Sequence, residues 1–109
     1  MKVKLIKSLA LDGKEIKEID LKLDELTGED ILKTDLEIRS NGDPRGLDNI
    51  YKQDALLLLA SKASGIIADD LKKLSAPDFL EVTFTVRNFL MGLLAQAEEP
   101  KSSEESTLN

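Results

Sequence analysis

The sequence lacks several residue types on which protein chemistry commonly depends. It has no cysteine, no histidine and no tryptophan, and only one tyrosine and three phenylalanines among 109 residues. Without cysteine there is no disulfide, thiol nucleophile or cysteine-bound metal, and without histidine the commonest general base and metal ligand is missing. These absences predict a protein that is not an enzyme, with no catalytic residues, no metal site and no cofactor.

Long apolar runs and a surplus of positive charge are also missing. No stretch reaches the roughly 20 apolar residues of a membrane span, and the residues after Met1 alternate lysine with apolar side chains, unlike a signal peptide. The net charge of −6 disfavours nucleic acid and anionic membranes as partners. Residues 1–23 carry six lysines against four acids, which a solvated strand face explains better than an acidic partner. We therefore expect an acidic, soluble protein of the cytoplasm.

The length and the order of patterns predict one small domain of mixed structure. A chain of 109 residues can bury a modest core. We expect an α+β fold dominated by helices, in which an N-terminal β-hairpin precedes three to four helices. Residues 98–109 are rich in Glu, Ser and Lys and have almost no apolar side chains, so they cannot recover the entropy lost on ordering. We therefore assign a single domain to residues 1–97 and a disordered polar tail to residues 98–109.

The first 23 residues predict the hairpin. Apolar residues of one parity between positions 3 and 11 indicate a half-buried strand, and Asp12-Gly13 suits a tight turn. A two-residue turn pairs Leu9 with Ile16, but farther from the turn it places apolar residues opposite acidic ones. One extra residue near Lys17-Glu18 would remove this mismatch, so we expect a β-bulge in the second strand.

Three helices are expected in the middle of the chain. Thr27 with Asp30 predicts the capped start of a helix over residues 28–38. A second helix over residues 47–64 should end at Gly65. Its residues 55–60 are apolar all round, so the helix is covered either by its own domain or by another subunit. A short helix follows over residues 68–73.

Three polar features invite a functional interpretation, but a structural one is simpler. Residues 40–46 contain two glycines and a proline and predict a loop; no Gly-Lys-Ser/Thr motif supports a phosphate site there. Asp54 is an exposed edge residue or a partner of Lys52 or Arg87. Asp69-Asp70 opens the short helix, where the acids complement the helix dipole, and no third metal ligand is in sight.

The sequence is organised around a long apolar helix predicted over residues 74–95, with Ser75 and Asp78 forming a capping box. Leu93 shares one helical face with the residues that we expect in the core, which are Phe79, Val82, Val86 and Phe89. A second apolar stripe lies beside this face. We predict that it serves self-association or partner binding, and it consists of Leu80, Phe84, Met91 and Leu94.

Taken together, the order of these features resembles the tail assembly chaperone family of long-tailed bacteriophages and prophages. The resemblance covers residues 3–95. It rests on the Asp12-Gly13-Lys14 turn and on the segment from Leu21 to Asp30 that leads into the first helix. It continues through the leucine run of residues 54–60, the segment of residues 67–75, and the apolar helix with Phe89-Leu90. These are patterning motifs, and their order and spacing carry the resemblance.

The resemblance implies a role in phage tail assembly without catalysis. Proteins of this family bind the long, helical tape measure protein, keep it soluble, and leave as tail tube subunits polymerise around it. Many of their genes also give a longer product by ribosomal frameshifting. The implied partners are the tape measure protein, further copies of the chain in a homo-oligomer, and the tail tube protein. The alternatives are a structural tail or connector subunit and a small cytoplasmic oligomeric regulator.

Overall fold

A computed structural model describes the backbone of residues 1–98 and the side chains of residues 1–93. A β-hairpin, formed by β1 (Lys2–Leu11) and β2 (Lys14–Asp20), is followed by helices α1 (Gly28–Ser40), α2 (Gln53–Ser64), α3 (Ala68–Leu71) and α4 (Ala76–Glu98). Short 3-10 turns span Leu23–Glu25 and Gly46–Asn49. The helix-dominated α+β fold is confirmed. The tail predicted for residues 98–109 lies outside the described residues, except that Glu98 ends α4.

The hairpin contains the predicted turn but not the predicted bulge. Asp12 and Gly13 both have positive φ, 49° and 77°, and Leu9 pairs with Ile16 as expected. However, Lys4 pairs with Glu18, so four residues of β1 stand opposite one residue of β2. The expectation of an extra residue near Lys17-Glu18 in the second strand was therefore wrong. The physical reason is a hydrogen-bond partner from α4, described below, which the hairpin sequence alone does not reveal.

The core is built around α2. Its side chains Leu56 and Leu59 are fully buried, and the helix packs against α1, α3, α4 and β2. The hairpin contributes Val3, Leu9 and Ile19 to the same cluster. The apolar run of residues 55–60 is therefore covered within the chain, with only Leu58 half-buried. Of the two coverings considered from the sequence, the domain itself accounts for this helix.

The segment between α1 and α2 is held by charged side chains. Asp35 of α1 accepts a hydrogen bond from the amide of Leu47 at 2.9 Å, and Lys52 lies 2.6 Å from the carboxylate of Asp43. Residues 46–49 form a separate 3-10 turn, and the backbone leaves the helical region at Leu47 and at Lys52, where ψ is 16° and 142°. The second helix consequently starts at Gln53, six residues later than predicted from the sequence.

The start of α1 and the end of α2 follow the sequence prediction closely. Thr27 and Asp30 form a reciprocal capping box at the start of α1, and Gly65 ends α2 with φ of 76°. In and after α3, Asp69 and Asp70 form ion pairs with Lys72 and Lys73 at 3.5 and 3.3 Å. In the part of the chain with described side chains, no cluster of three or more His, Cys, Asp or Glu residues could hold a metal ion.

Candidate functional site

The start of α4 is fixed by a carboxylate that also binds the hairpin. Asp78 accepts hydrogen bonds from the backbone amides of Ile6 at 2.9 Å and Lys7 at 3.0 Å, and from the hydroxyl of Ser75 at 2.9 Å. The two amides, Ile6 first, hold the pKa of Asp78 below its ordinary value, because they stabilise the charged form. The sequence predicted a capping box between Ser75 and Asp78, in which each side chain binds a backbone amide. The two side chains do meet, but the Asp78 carboxylate accepts the Ser75 hydroxyl and the amides of the β1 bulge instead.

The inner face of α4 closes the core. Val82, Val86 and Leu90 are buried, while Phe79 and Phe89 are half-buried against the same cluster. The face of α4 that was predicted to be buried does pack against the core, although its two phenylalanines lie at the core margin. Leu93 shares this face but is 46% exposed and lines a groove beside the start of α1.

The outer face of α4 exposes the second stripe. We use the name α4 stripe for Leu80, Phe84, Met91 and Leu94. Leu80, Phe84 and Met91 are 40%, 38% and 51% exposed, and the side chain of Leu94 lies outside the described residues. Apolar side chains of this size that remain in water on one face of a helix are typical of a surface that binds another protein.

Arg87 lies within this outer face. Its guanidinium stands over the ring of Phe84, with its central carbon 4.8 Å from the ring centroid, and its Nε is buried without a hydrogen-bond partner among the described residues. Asp54, considered above as a partner of Lys52 or Arg87, lies 3.7 Å from Lys52. The ion pairs among the described residues do not include Arg87. The outer face therefore combines apolar area with one cation that has no carboxylate within 4 Å among the side chains of residues 1–93.

Sequence reasoning missed a second exposed apolar pair on α1. Leu32 and Leu36, one turn apart, are 72% and 64% exposed, more than any residue of the α4 stripe with a described side chain. Their neighbours Thr34 and Ile38 face the core instead. The signal was present, since the two leucines lie four residues apart and on a different side from Ile38.

Two surface depressions in the described region contain few ionisable side chains. One depression lies between α2, α3 and the start of α4, and its ionisable groups are Asp54, Asp69 and Lys72. Each of the two carboxylates lies within 4 Å of a lysine. A second, mostly apolar groove runs between the start of α1 and the end of α4, and it includes Ile31, Phe89 and Leu93.

Comparisons with known proteins identify the family. Neither the curated proteins nor the solved structures gave a significant match. In residues 1–98, no helix is both long and apolar enough to cross a membrane. A family model described as "Phage tail assembly chaperone proteins, E, or 41 or 14" matches residues 2–91, and this description indicates a chaperone role in place of catalysis. Because this match covers most of the chain, the chain belongs to the phage tail assembly chaperone family.

Proposed function

We propose that this protein binds the tape measure protein of its phage in the host cytoplasm and keeps it soluble while the tail is assembled. The proposal assigns the contact to the α4 stripe of Leu80, Phe84, Met91 and Leu94. The family match supports a role in tail assembly, and the partner is the protein implied by the sequence resemblance.

The observation that carries the proposal is the exposure of the α4 stripe. Phe84 and Met91 are large apolar side chains that remain about 38% and 51% exposed, although the opposite face of the same helix is buried. A chaperone for a long helical partner needs such a surface, because an amphipathic helix binds by laying its apolar side chains against another apolar surface. Burial of this area on binding supplies the affinity.

The charge of the chain supports the same role. A net charge of −6 on 109 residues keeps a protein with exposed apolar side chains dispersed, since molecules of like charge repel each other. Exposed charges add only modest and salt-sensitive steering. The partner is therefore held mainly by apolar contacts of moderate strength, which allows its later release to the growing tube.

Self-association is a further part of the proposal. A tape measure protein is much longer than this domain, so several copies of the chain are needed to cover it. We expect these copies to form a homo-oligomer and to be displaced as tail tube subunits add. Sedimentation of the purified chain at several concentrations measures this directly: a single species with the mass of one chain at every concentration would contradict it.

Co-expression tests the function itself. The tape measure protein of the same phage is expressed alone and together with this chain, and its soluble fraction is measured after centrifugation. The proposal predicts that the tape measure protein is mostly insoluble alone and mostly soluble with the chain. Equal solubility in both cases would overturn the proposed function.

A further inference from the structure

The exposed residues of α4 follow the spacing of a coiled-coil seam. Leu80, Phe84, Arg87 and Met91 are separated by four, three and four residues, and the helix backbone continues to Glu98, so position 94 is the next in the series. Alternating steps of three and four place residues along one line of a helix. A second helix packs against such a line at a crossing angle of about 20°. The outer face therefore presents its side chains along the line that a single long helix would contact.

Arg87 is the polar residue in the middle of this seam. A charged group that is covered by a docking helix loses its water and must gain a partner of opposite charge. Its Nε is already buried and has no acceptor among the described residues, and its guanidinium is held over the ring of Phe84. The buried Nε is closed to a docking helix, so a carboxylate that arrives with such a helix would pair with the terminal nitrogens of the guanidinium, which the Phe84 ring holds in place.

A second copy of this chain does not meet that requirement. If two α4 helices paired along this seam in parallel, each Arg87 would lie in the same layer as its counterpart. If they paired in antiparallel orientation about the middle of the seam, the two Arg87 side chains would again meet. Two guanidinium groups that are brought together and desolvated repel each other, so pairing of two copies of the chain through this face is disfavoured.

From these observations we infer that the α4 seam binds one amphipathic helix of another protein, and that this helix places a glutamate or aspartate against Arg87. The acid occupies one seam position of the partner and fixes the register of the two helices, as a single polar residue does in coiled coils. The inference rests on the proposed function in one respect, the identity of the protein that contains the helix. If the proposed function is correct, that protein is the tape measure protein. The inference adds the chemistry by which a segment of that protein is recognised.

Model peptides test the inference with the full-length chain. Two peptides of four heptads each carry leucine at the seam positions except for one central position, which is glutamate in one peptide and glutamine in the other. Binding is followed by fluorescence anisotropy at low salt. The chain should bind the glutamate peptide at least about tenfold more tightly than the glutamine peptide, because only the carboxylate pairs with Arg87.

Variants at Arg87 separate pairing from packing. Arg87→Met removes the charge but keeps a long side chain over Phe84, so it should bind both peptides about equally. Arg87→Glu should reverse the preference and favour a third peptide with lysine at the central position. Retained discrimination by Arg87→Met, or equal binding of both peptides by the unaltered chain, would overturn the inference.

The same measurements distinguish this inference from the proposed function. If co-expression solubilises the tape measure protein but the chain binds the glutamate and glutamine peptides equally, the proposed function is supported and the role of Arg87 is overturned. If the chain instead forms a dimer that Phe84→Asp dissociates, the seam is occupied by a second copy and the inference is overturned. If the acidic peptide is selected but the tape measure protein gains no solubility, the seam is correct and its parent protein is a different one.

Discussion

The carboxylate of Asp78 accepts a hydrogen bond from the backbone amide of Ile6 across 72 positions of sequence, at 2.9 Å. Asp78 itself is only 1% exposed, although it is charged. A buried carboxylate is tolerated when amides bind it, and here Ile6 and Lys7 supply two. This contact fixes the hairpin to the first turn of α4 and accounts for the four residues of β1 that face a single residue of β2.

The Asp78 contact should make folding stability depend on pH. Its pKa in the folded chain lies below the ordinary 3.8, so the folded state binds this proton less readily than the unfolded state. The contribution is complete above the ordinary pKa and is lost as the pH falls through the folded pKa. Asp78→Asn removes it, so the gap in urea midpoint between wild type and variant should be widest at neutral pH and should shrink as the pH falls below 3.8 towards the folded pKa.

The control for this experiment is Asp69→Asn. The Asp69 side chain is 83% exposed and, within the described region, its ion pair is with Lys72, so its replacement should leave the midpoint nearly unchanged at every pH. Asp30, Asp35 and Asp43 also have lowered pKa values. They add the same dependence of stability on pH to the wild type and to the variants, so they do not affect the comparison. A gap for Asp78→Asn that stays constant from pH 7 to pH 3 would contradict the assignment.

Two leucine truncations test where the core lies. Leu56→Ala on α2 should lower the free energy of unfolding by about 2–5 kcal/mol, because Leu56 is fully buried and its removal leaves a cavity. Leu36→Ala on α1 makes the same chemical change at a residue that is 64% exposed, and it should shift stability by less than about 0.5 kcal/mol. Urea unfolding followed by circular dichroism measures both, and losses of similar size would refute the burial pattern.

Gly46 is a second position where backbone and packing act together. It has a φ of +58°, and an added Cβ would collide with the carboxylate of Asp35, which binds the amide of Leu47. Gly46→Ala should therefore cost more than the roughly 1–2 kcal/mol of a left-handed residue alone. Gly65→Ala is the matched control, since Gly65 is also left-handed, with φ of +76°, but no atom outside its neighbouring residues lies within 4 Å of the added Cβ in the described part of the chain. Equal thermal midpoints for the two variants would count against the loop geometry.

Local patterns in the sequence predicted the helices and strands well. They did not predict the contacts between residues far apart in the chain. Thr27 with Asp30 and the glycine at position 65 set the helix ends through neighbouring residues, so short motifs suffice to predict them. The bulge of β1 depends on Asp78, whose distance in sequence hides the contact from any local pattern. The spacing of apolar residues predicted the α4 stripe. The sequence could not decide whether Asp54 pairs with Lys52 or with Arg87, and the structure places Asp54 beside Lys52.

The central claim is that the α4 stripe holds the tape measure protein, and co-expression with stripe variants tests it most directly. Phe84→Asp and Met91→Asp each replace an apolar contact by a carboxylate that is costly to desolvate and that, three or four residues from Arg87, competes with a partner's acid for the guanidinium. Asn49→Asp adds the same charge outside α4 and serves as the control, and circular dichroism verifies that all three variants fold. The account predicts that the tape measure protein remains soluble with wild type and Asn49→Asp and precipitates with Phe84→Asp and Met91→Asp. Full solubility with both folded stripe variants would contradict it.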